Sequence, residues 1–426
     1  MPRRASSLIA LATSILVCAL LLLGSSRKLA NDPAFGEINS IVRSLSEISG
    51  LSEKHTVPYG RMSKGQLRHF LNKRMKKMLK PDEIYADELS LKMFGLVPQD
   101  FDLRKSTVDL LTEQAAAFYD YDEKKLFLLE DASFEEETTT LAHELAHALA
   151  DQHFNLDKFM DESSASDDED LAHTAVVEGQ ASWLMIAYDL KQQGQPPVPT
   201  KREIESVGDS GGDSSGEFPV LKKSPLYIRE SLLFPYAQGT LFFDAVYKKL
   251  GKQAFSAVFN DAPADSGQII HPDRYFAHQK ATVPELPALA LNEHTEKLAD
   301  GAIGEFDHEI LLHQYVSQDE AKVVAPHLRG GVFRIYEVGK DHAPVLEYAS
   351  EWDSEAEAAT FFADYQKILR GKSRHCEVSN TNADLFAGSN DMGYFVAWVN
   401  DDTVTSIEGL QNVGEWQKLV LDTLNP

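Results

Sequence analysis

A chain of 426 residues exceeds what one hydrophobic core usually supports, so two folded units behind a targeting segment are expected. With 43% hydrophobic and 25% charged residues, the composition is that of a globular protein. Lys and Arg number 41 against 66 Asp and Glu; the resulting charge of -25 repels nucleic acid and anionic lipid surfaces alike, so no nucleic-acid partner is expected.

At the N-terminus, Arg3 and Arg4 precede an apolar run from Leu8 to Leu23, and Gly24, Ser25 and Ser26 follow it. Residues 1–26 therefore read as a signal peptide, or as an N-terminal anchor if uncleaved. Either way the folded chain is expected outside the cytoplasm: periplasmic, secreted, or membrane-anchored through that segment alone. Beyond it, Cys376 is the one remaining cysteine, so no internal disulfide can form.

From Pro33 to Phe101 the spacing predicts helices, as where Leu67, Phe70, Leu71 and Met75 recur at helical intervals. Two β-prone stretches, Ala115–Tyr119 and Lys125–Leu129, flank a polar turn and predict a hairpin or two edge strands. A helix is expected from Ser133, which has capping-box spacing to Glu136. It carries Leu141, Leu145, Ala148 and Leu149 on one side and His143 and His147 roughly opposite, so it should be buried on two faces. Asp157–Asp170 reads as an acidic surface loop, with a second long helix following it. Gly194–Gly216 reads as a flexible connection or lid. A further helix carries the FPYAQG segment, and a loop holds IIHPDRYF. A boundary near Glu296–Gly304 separates a mainly helical domain over 31–298 from a small domain over 304–426. In the latter, strands at Gly331–Val338, Pro344–Trp352, Gly393–Val399 and Thr403–Ile407 surround a helix at Ser354–Arg370, a β-β-α-β-β unit. The expected fold class is α+β.

His143-Glu144-Leu145-Ala146-His147 is an HExxH pattern. On a helix its two imidazoles stand four residues apart and reach one point, which is the geometry of two zinc ligands. Glu144 is displaced around the helix, so it can touch a water on the metal rather than the metal. Zinc lowers the pKa of such a water towards about 7, and a carboxylate can then take its proton as it attacks a carbonyl.

Two candidates compete for the third ligand. His153 would complete HExxHxxGxxH, but Ala150 stands where that pattern has the glycine that ends the helix. If the helix continues, His153 points about 280° around from His143. Glu178 is the better candidate, because it shares a helical stripe with Leu171, Ala175, Ser182 and Met185. A carboxylate on an apolar face needs a counter-charge, since burying it alone costs several kcal/mol. An ion held by two neutral imidazoles would supply one. His308 and His313 stand about 140° apart on a helix and cannot share an ion, His173 lies off the Glu178 stripe, and all three read as surface or structural. Asp170 is weighed as an orienting carboxylate for a ligand histidine, and Tyr236, His271, Arg274 and Tyr275 as donors to a developing oxyanion.

HELAHALADQHF, with VVEGQA some thirty residues later and the FYDYDEKKLFLLED hairpin before it, resembles the zincin metallopeptidases of gluzincin type. Together with FPYAQG and IIHPDRYF, it is most similar to a group of exported bacterial and archaeal proteins, over roughly residues 40 to 280. The resemblance implies zinc, a Glu as third ligand, a peptide or protein substrate, and an edge strand above the active helix. The spacing to Glu178 is longer than in better-known gluzincins. The expected function is thus a zinc-dependent peptidase acting outside the cytoplasm, with a catalytically inactive zincin-like scaffold, an exported binding protein, as the alternative.

Overall fold

The computed structural model describes residues 33–78, 80–130, 134–162, 166–213, 218–287, 289 and 295–424. The N-terminal apolar run and the Ser133 cap lie outside the described residues, among which no helix is long and apolar enough to cross a membrane.

Helix α1 (Pro33–Ser49) buries Ile38, Ile41, Val42, Leu45 and Ile48, an apolar stripe at helical spacing. Helix α2 (Lys64–Met78) does the same with Leu67, Leu71 and Met75. Helix α3 (Pro81–Phe94) opens on a proline and ends at Gly95, whose φ of 79° is the left-handed conformation that glycine adopts freely. Helix α4 (Leu103–Gln114) is capped by Asp102, which accepts the Lys105 N–H at 2.8 Å.

The expected hairpin forms as β2 (Ala117–Asp120) and β3 (Lys125–Leu129). A third strand, β1 (Tyr59–Met62), pairs parallel with β3, so β2 lies at one edge of the sheet. Behind the sheet run three long helices: α5 (Phe134–Phe154), α6 (Asp167–Gln192) and α7 (Leu226–Leu250). Helix α5 is more buried than its two-faced pattern implied, since every residue from Thr140 to Asp151 is withdrawn from solvent.

The acidic stretch expected as a surface loop instead holds a short helix, Leu156–Glu162, and the first turn of α6. Ser166 caps α6 by accepting the Glu169 N–H at 3.1 Å, and Asp168 and Asp170 are buried. The Ser166 cap starts the helix within the acidic stretch, so its first turn is helical despite the loop-like composition. The expected lid at Gly194–Gly216 likewise contains a helix, Lys201–Asp213.

Helices α6 and α7 meet backbone to backbone. A Cβ on Gly179 would lie 2.1 Å from the Gly239 carbonyl carbon, and one on Gly239 would lie 2.1 Å from the Ala175 oxygen. Only two glycines permit that approach.

The C-terminal part is a seven-stranded antiparallel sheet in the order β4-β5-β6-β10-β9-β8-β7. The four expected strands are its centre: β5 (Leu328–Val338), β6 (Ala343–Trp352), β9 (Gly393–Asn400) and β10 (Thr403–Leu410). Added at its edges are β4 (Thr295–Ala302), which runs through the expected boundary, and β7 (Cys376–Thr381) with β8 (Leu385–Asn390). Helices α8 (Glu305–Tyr315) and α9 (Glu355–Gly371) cover one face, α9 being capped as expected by Ser354. Helix α10 (Val413–Leu424) covers a smaller cluster of Val345, Leu385, Val396 and Ile407 on the other.

One contiguous apolar core runs from Ile38 to Val404, so helical part and sheet share it. Lys372 is buried at their junction, paired with Glu408 at 2.6 Å and donating to the Met93 carbonyl at 2.8 Å. Close by, Asp87 of α3, Asp167 of α6, Tyr227 of α7 and Asp307 of α8 line one small cavity. Burial, then the charges of Asp87, Asp170 and Asp307, push the Asp167 carboxyl well up. Burial raises Asp307 to about 6, against hydrogen bonds from the Gly304 N–H and Tyr227.

Because Asp307 is raised above the ~3.9 of an unfolded carboxyl, its contribution to stability is full below that value and is lost as pH rises through about 6. Asp307→Asn cannot ionise and keeps it. Thermal unfolding should find variant and wild type alike near pH ~4 and the variant more stable by about 2–3 kcal/mol near pH ~8. Parallel pH profiles for the two would show that Asp307 titrates as a solvated carboxyl.

Candidate metal centre

His143 and His147 stand one turn apart on α5, and Glu178 enters from the middle of α6. The His143 and His147 Nε2 atoms lie 2.9 Å apart, and the Glu178 Oε2 lies 3.1 Å from the first and 3.3 Å from the second. The two rings are nearly perpendicular, at 84°. Among the described residues this is the one group of three or more His, Cys, Asp or Glu side chains so gathered.

Three donors around an ion at about 2.0–2.2 Å in tetrahedral geometry sit roughly 3.3–3.5 Å from one another, so the observed triangle is slightly tight but of the right size. The donor chemistry, two imidazoles and a carboxylate, also suits zinc. One feature departs from well-supported metal sites: neither histidine Nδ1 has a hydrogen-bond partner. Asp170, weighed as an orienting carboxylate, is buried but makes no hydrogen bond to either ring.

Glu144 sits beside this triangle, with Oε2 accepting the Tyr119 backbone N–H of β2 at 2.8 Å and Oε1 without a partner. A buried carboxylate oxygen left unpaired costs about 1–3 kcal/mol, which marks it as a group kept for a ligand or reactant. Burial, with the charge of Glu178, raises its pKa to about 8, against the pull of His147 and the Tyr119 N–H. Burial also acts to raise Glu178, but His147 and His143 outweigh it and hold that carboxyl down at about 2. His143 is pushed down by burial and by His147. His147 is driven down by burial yet ends up raised, because Glu178 faces it.

Two tyrosines flank the histidines. The Tyr236 ring stacks on His143 at 5.9 Å and 27°, the one proposed oxyanion donor that reaches the centre. Gly239, one turn later in α7, makes the close contact with α6 and so fixes how near Tyr236 comes. The Tyr121 ring stands edge-on to His147 at 6.2 Å. Burial, then the charges of Glu178 and Glu144, push its phenol well above the ordinary value, so it stays neutral. Nothing in the local pattern distinguished Tyr121 or the Tyr119 backbone. Their part depends on how the β2–β3 turn folds onto α5.

That turn is tied down. Tyr119 donates its hydroxyl to Asp151 at 2.9 Å, Lys124 reaches Asp151 at 2.8 Å, and Arg74 of α2 holds Asp120 and Asp122 at 2.9 and 2.6 Å.

The other residues singled out are placed elsewhere. Helix α5 runs unbroken through Ala150 to Phe154, so His153 faces away and bonds the Ser52 carbonyl at 2.8 Å. His271 and Arg274 both hold Glu305, at 2.7 and 2.8 Å, and Tyr275 donates to the Asp261 carbonyl at 2.8 Å. His173 stacks on Phe159, and His308 bridges the Gly304 carbonyl and the Tyr348 hydroxyl. Burial lowers both to about 4, as befits neutral core histidines.

No family model, curated protein or solved structure matches the chain.

Metal analysis of purified variants tests the ligand set. His143→Ala and His147→Ala should each abolish stoichiometric zinc, and Glu144→Gln should retain it. Glu178→Ala should weaken binding by well over about 100-fold, more than loss of a supporting group does, and His153→Ala should leave it unchanged. Equal zinc content in all of these proteins would remove the assignment.

Proposed function

We propose that the chain is a zinc-dependent peptidase of zincin-like fold, in which His143, His147 and Glu178 hold the ion and Glu144 is the general base. The observation that carries this reading is the convergence of three donors from two helices next to the unpartnered Oε1 of Glu144. The position of β2 supports it as well: an edge strand beside the motif helix turns the Tyr119 N–H towards Glu144.

Zinc, when bound, supplies a Lewis acid that acidifies water and polarises a carbonyl. Glu144, anchored through Oε2, presents Oε1 to take the proton of the attacking water and to pass it to the departing amine. Tyr236, whose ring stacks on His143, is the phenol assigned to donate to the oxygen that becomes negative. The burial of the centre keeps bulk water away and strengthens each of these interactions. The proposed site of action is outside the cytoplasm, on the strength of residues 1–26.

One observation favours the second reading, an inactive zincin-like scaffold that serves as an exported binding protein. His143, Glu144, His147 and Glu178 are only 0–2% exposed, so a peptide must displace something to reach them. Against it stands the ligand count, since structural zinc sites take four protein ligands and this group offers three.

Wild type and Glu144→Gln, each with zinc content verified, should be incubated with a mixed peptide library and the products read by mass spectrometry. Cleavage by the wild type should fall at least about 100-fold in Glu144→Gln at unchanged zinc content. Equal cleavage by both would sink the role of Glu144, and zinc without cleavage in either would select the scaffold.

A further inference from the structure

We propose that the solvent face of α2 docks an acidic polypeptide beside the candidate metal centre; that this polypeptide is a substrate rests on the peptidase reading. From Lys54 to Lys80 the sequence holds nine Lys and Arg and no Asp or Glu, in a chain of net charge -25. The fold places three of these lysines on one solvent face. With Leu67, Leu71 and Met75 buried, His69, Lys73, Lys76 and Lys77 fall within an arc of roughly 100° on the opposite side of α2, and all four are exposed. Lys80 follows directly, also exposed.

Little neutralises this face. Among the described residues Lys73 and Lys76 enter no ion pair, and Lys77 and Lys80 reach carboxylates only at 3.7 and 3.5 Å. At physiological ionic strength charges further than about 8 Å are largely screened, so an approaching chain feels these lysines rather than the net charge of the protein.

The face also borders the centre. Arg74 of the same helix holds Asp120 and Asp122, which flank Tyr121, and the Tyr121 ring stands against His147. A chain laid along α2 therefore arrives at the turn beside the candidate ligands.

Its borders select the occupant. Asp122 and Glu83 stand beside Lys77 and Lys80, so a flat anionic bilayer would meet carboxylates as well, whereas a single extended chain can follow Lys73 and Lys76. No exposed residue of α2 among those described is a large aliphatic side chain or a Phe, Tyr or Trp, which leaves nothing to insert into lipid and His69 as its one exposed ring.

The test titrates labelled poly-L-glutamate into the full chain carrying Glu144→Gln, with fluorescence anisotropy as readout, so that binding is measured without cleavage. The expected result is salt-sensitive binding that falls at least about tenfold in Lys73→Glu/Lys76→Glu/Lys77→Glu. Lys340→Glu, on the β5–β6 turn of the second sheet, should leave it unchanged, with circular dichroism confirming that both variants fold. Phosphatidylglycerol vesicles and a DNA oligonucleotide are run in parallel. Poly-glutamate affinity that ignores the triple reversal overturns the proposal, as does a stronger dependence on the three lysines for vesicles or DNA. Absence of peptidase activity in the wild type would remove the enzymatic reading and leave this binding result standing.

Discussion

The charge of Glu178, placed in the middle of a buried helix, is the constraint around which the helical part is arranged. A carboxylate withdrawn from water without partners costs several kcal/mol. The two imidazoles of α5 meet that charge, and they do so together because four residues on a helix amount to about one turn. The register between α5 and α6 is thereby set to within a side chain. The glycine crossing of α6 with α7 then brings Tyr236 onto the same group, one helical turn from the contact that permits it. Packing and charge agree at this point: each of the three helices is held where the buried site needs it.

From that centre a chain of polar contacts runs outwards. Glu144 is held by the backbone of β2, the Tyr119 hydroxyl returns to Asp151 of α5, and Lys124 and Arg74 fasten the turn between. Charge becomes progressively more exposed along this path, from ion pairs with a buried member to the solvated lysines of α2. The inner contacts lie in a low-dielectric setting and can fix geometry, whereas the outer ones are screened and reversible.

The seven-stranded sheet is joined to the helical part by a shared core and by two contrasting polar features. In the buried ion pair of Lys372 with Glu408, Lys372 also donates to the Met93 carbonyl and Glu408 accepts the Tyr365 hydroxyl. The cavity of Asp87, Asp167 and Asp307 gathers like charges instead, and their raised proton affinity is the result. Breaking the first leaves an uncompensated charge, while the second tightens or loosens with pH.

Residues related by helical periodicity could be read from the sequence alone: His143, Glu144 and His147 from one turn of α5, Glu178 from a stripe of α6, and the central strands β5, β6, β9 and β10 from their composition. The preference for Glu178 over His153 also rested on a local property, the lack of a glycine at Ala150, and the unbroken helix agrees with it. What escaped was non-local or carried by the backbone. Four-residue β1 has no room to show alternation, β4 and β7 are polar edge strands, and the apolar part of β8 is only Leu385 to Gly388. The acidic stretch before α6 looked like a loop because composition does not report where a capped helix begins. Tyr119 acts through an N–H that every residue but proline possesses, and the glycine pair matters only once two helices cross. The sequence by itself thus determined which side chains could share a face, because helical geometry repeats every few residues. The tertiary structure alone decided which faces meet, because that depends on close packing between segments far apart in the chain.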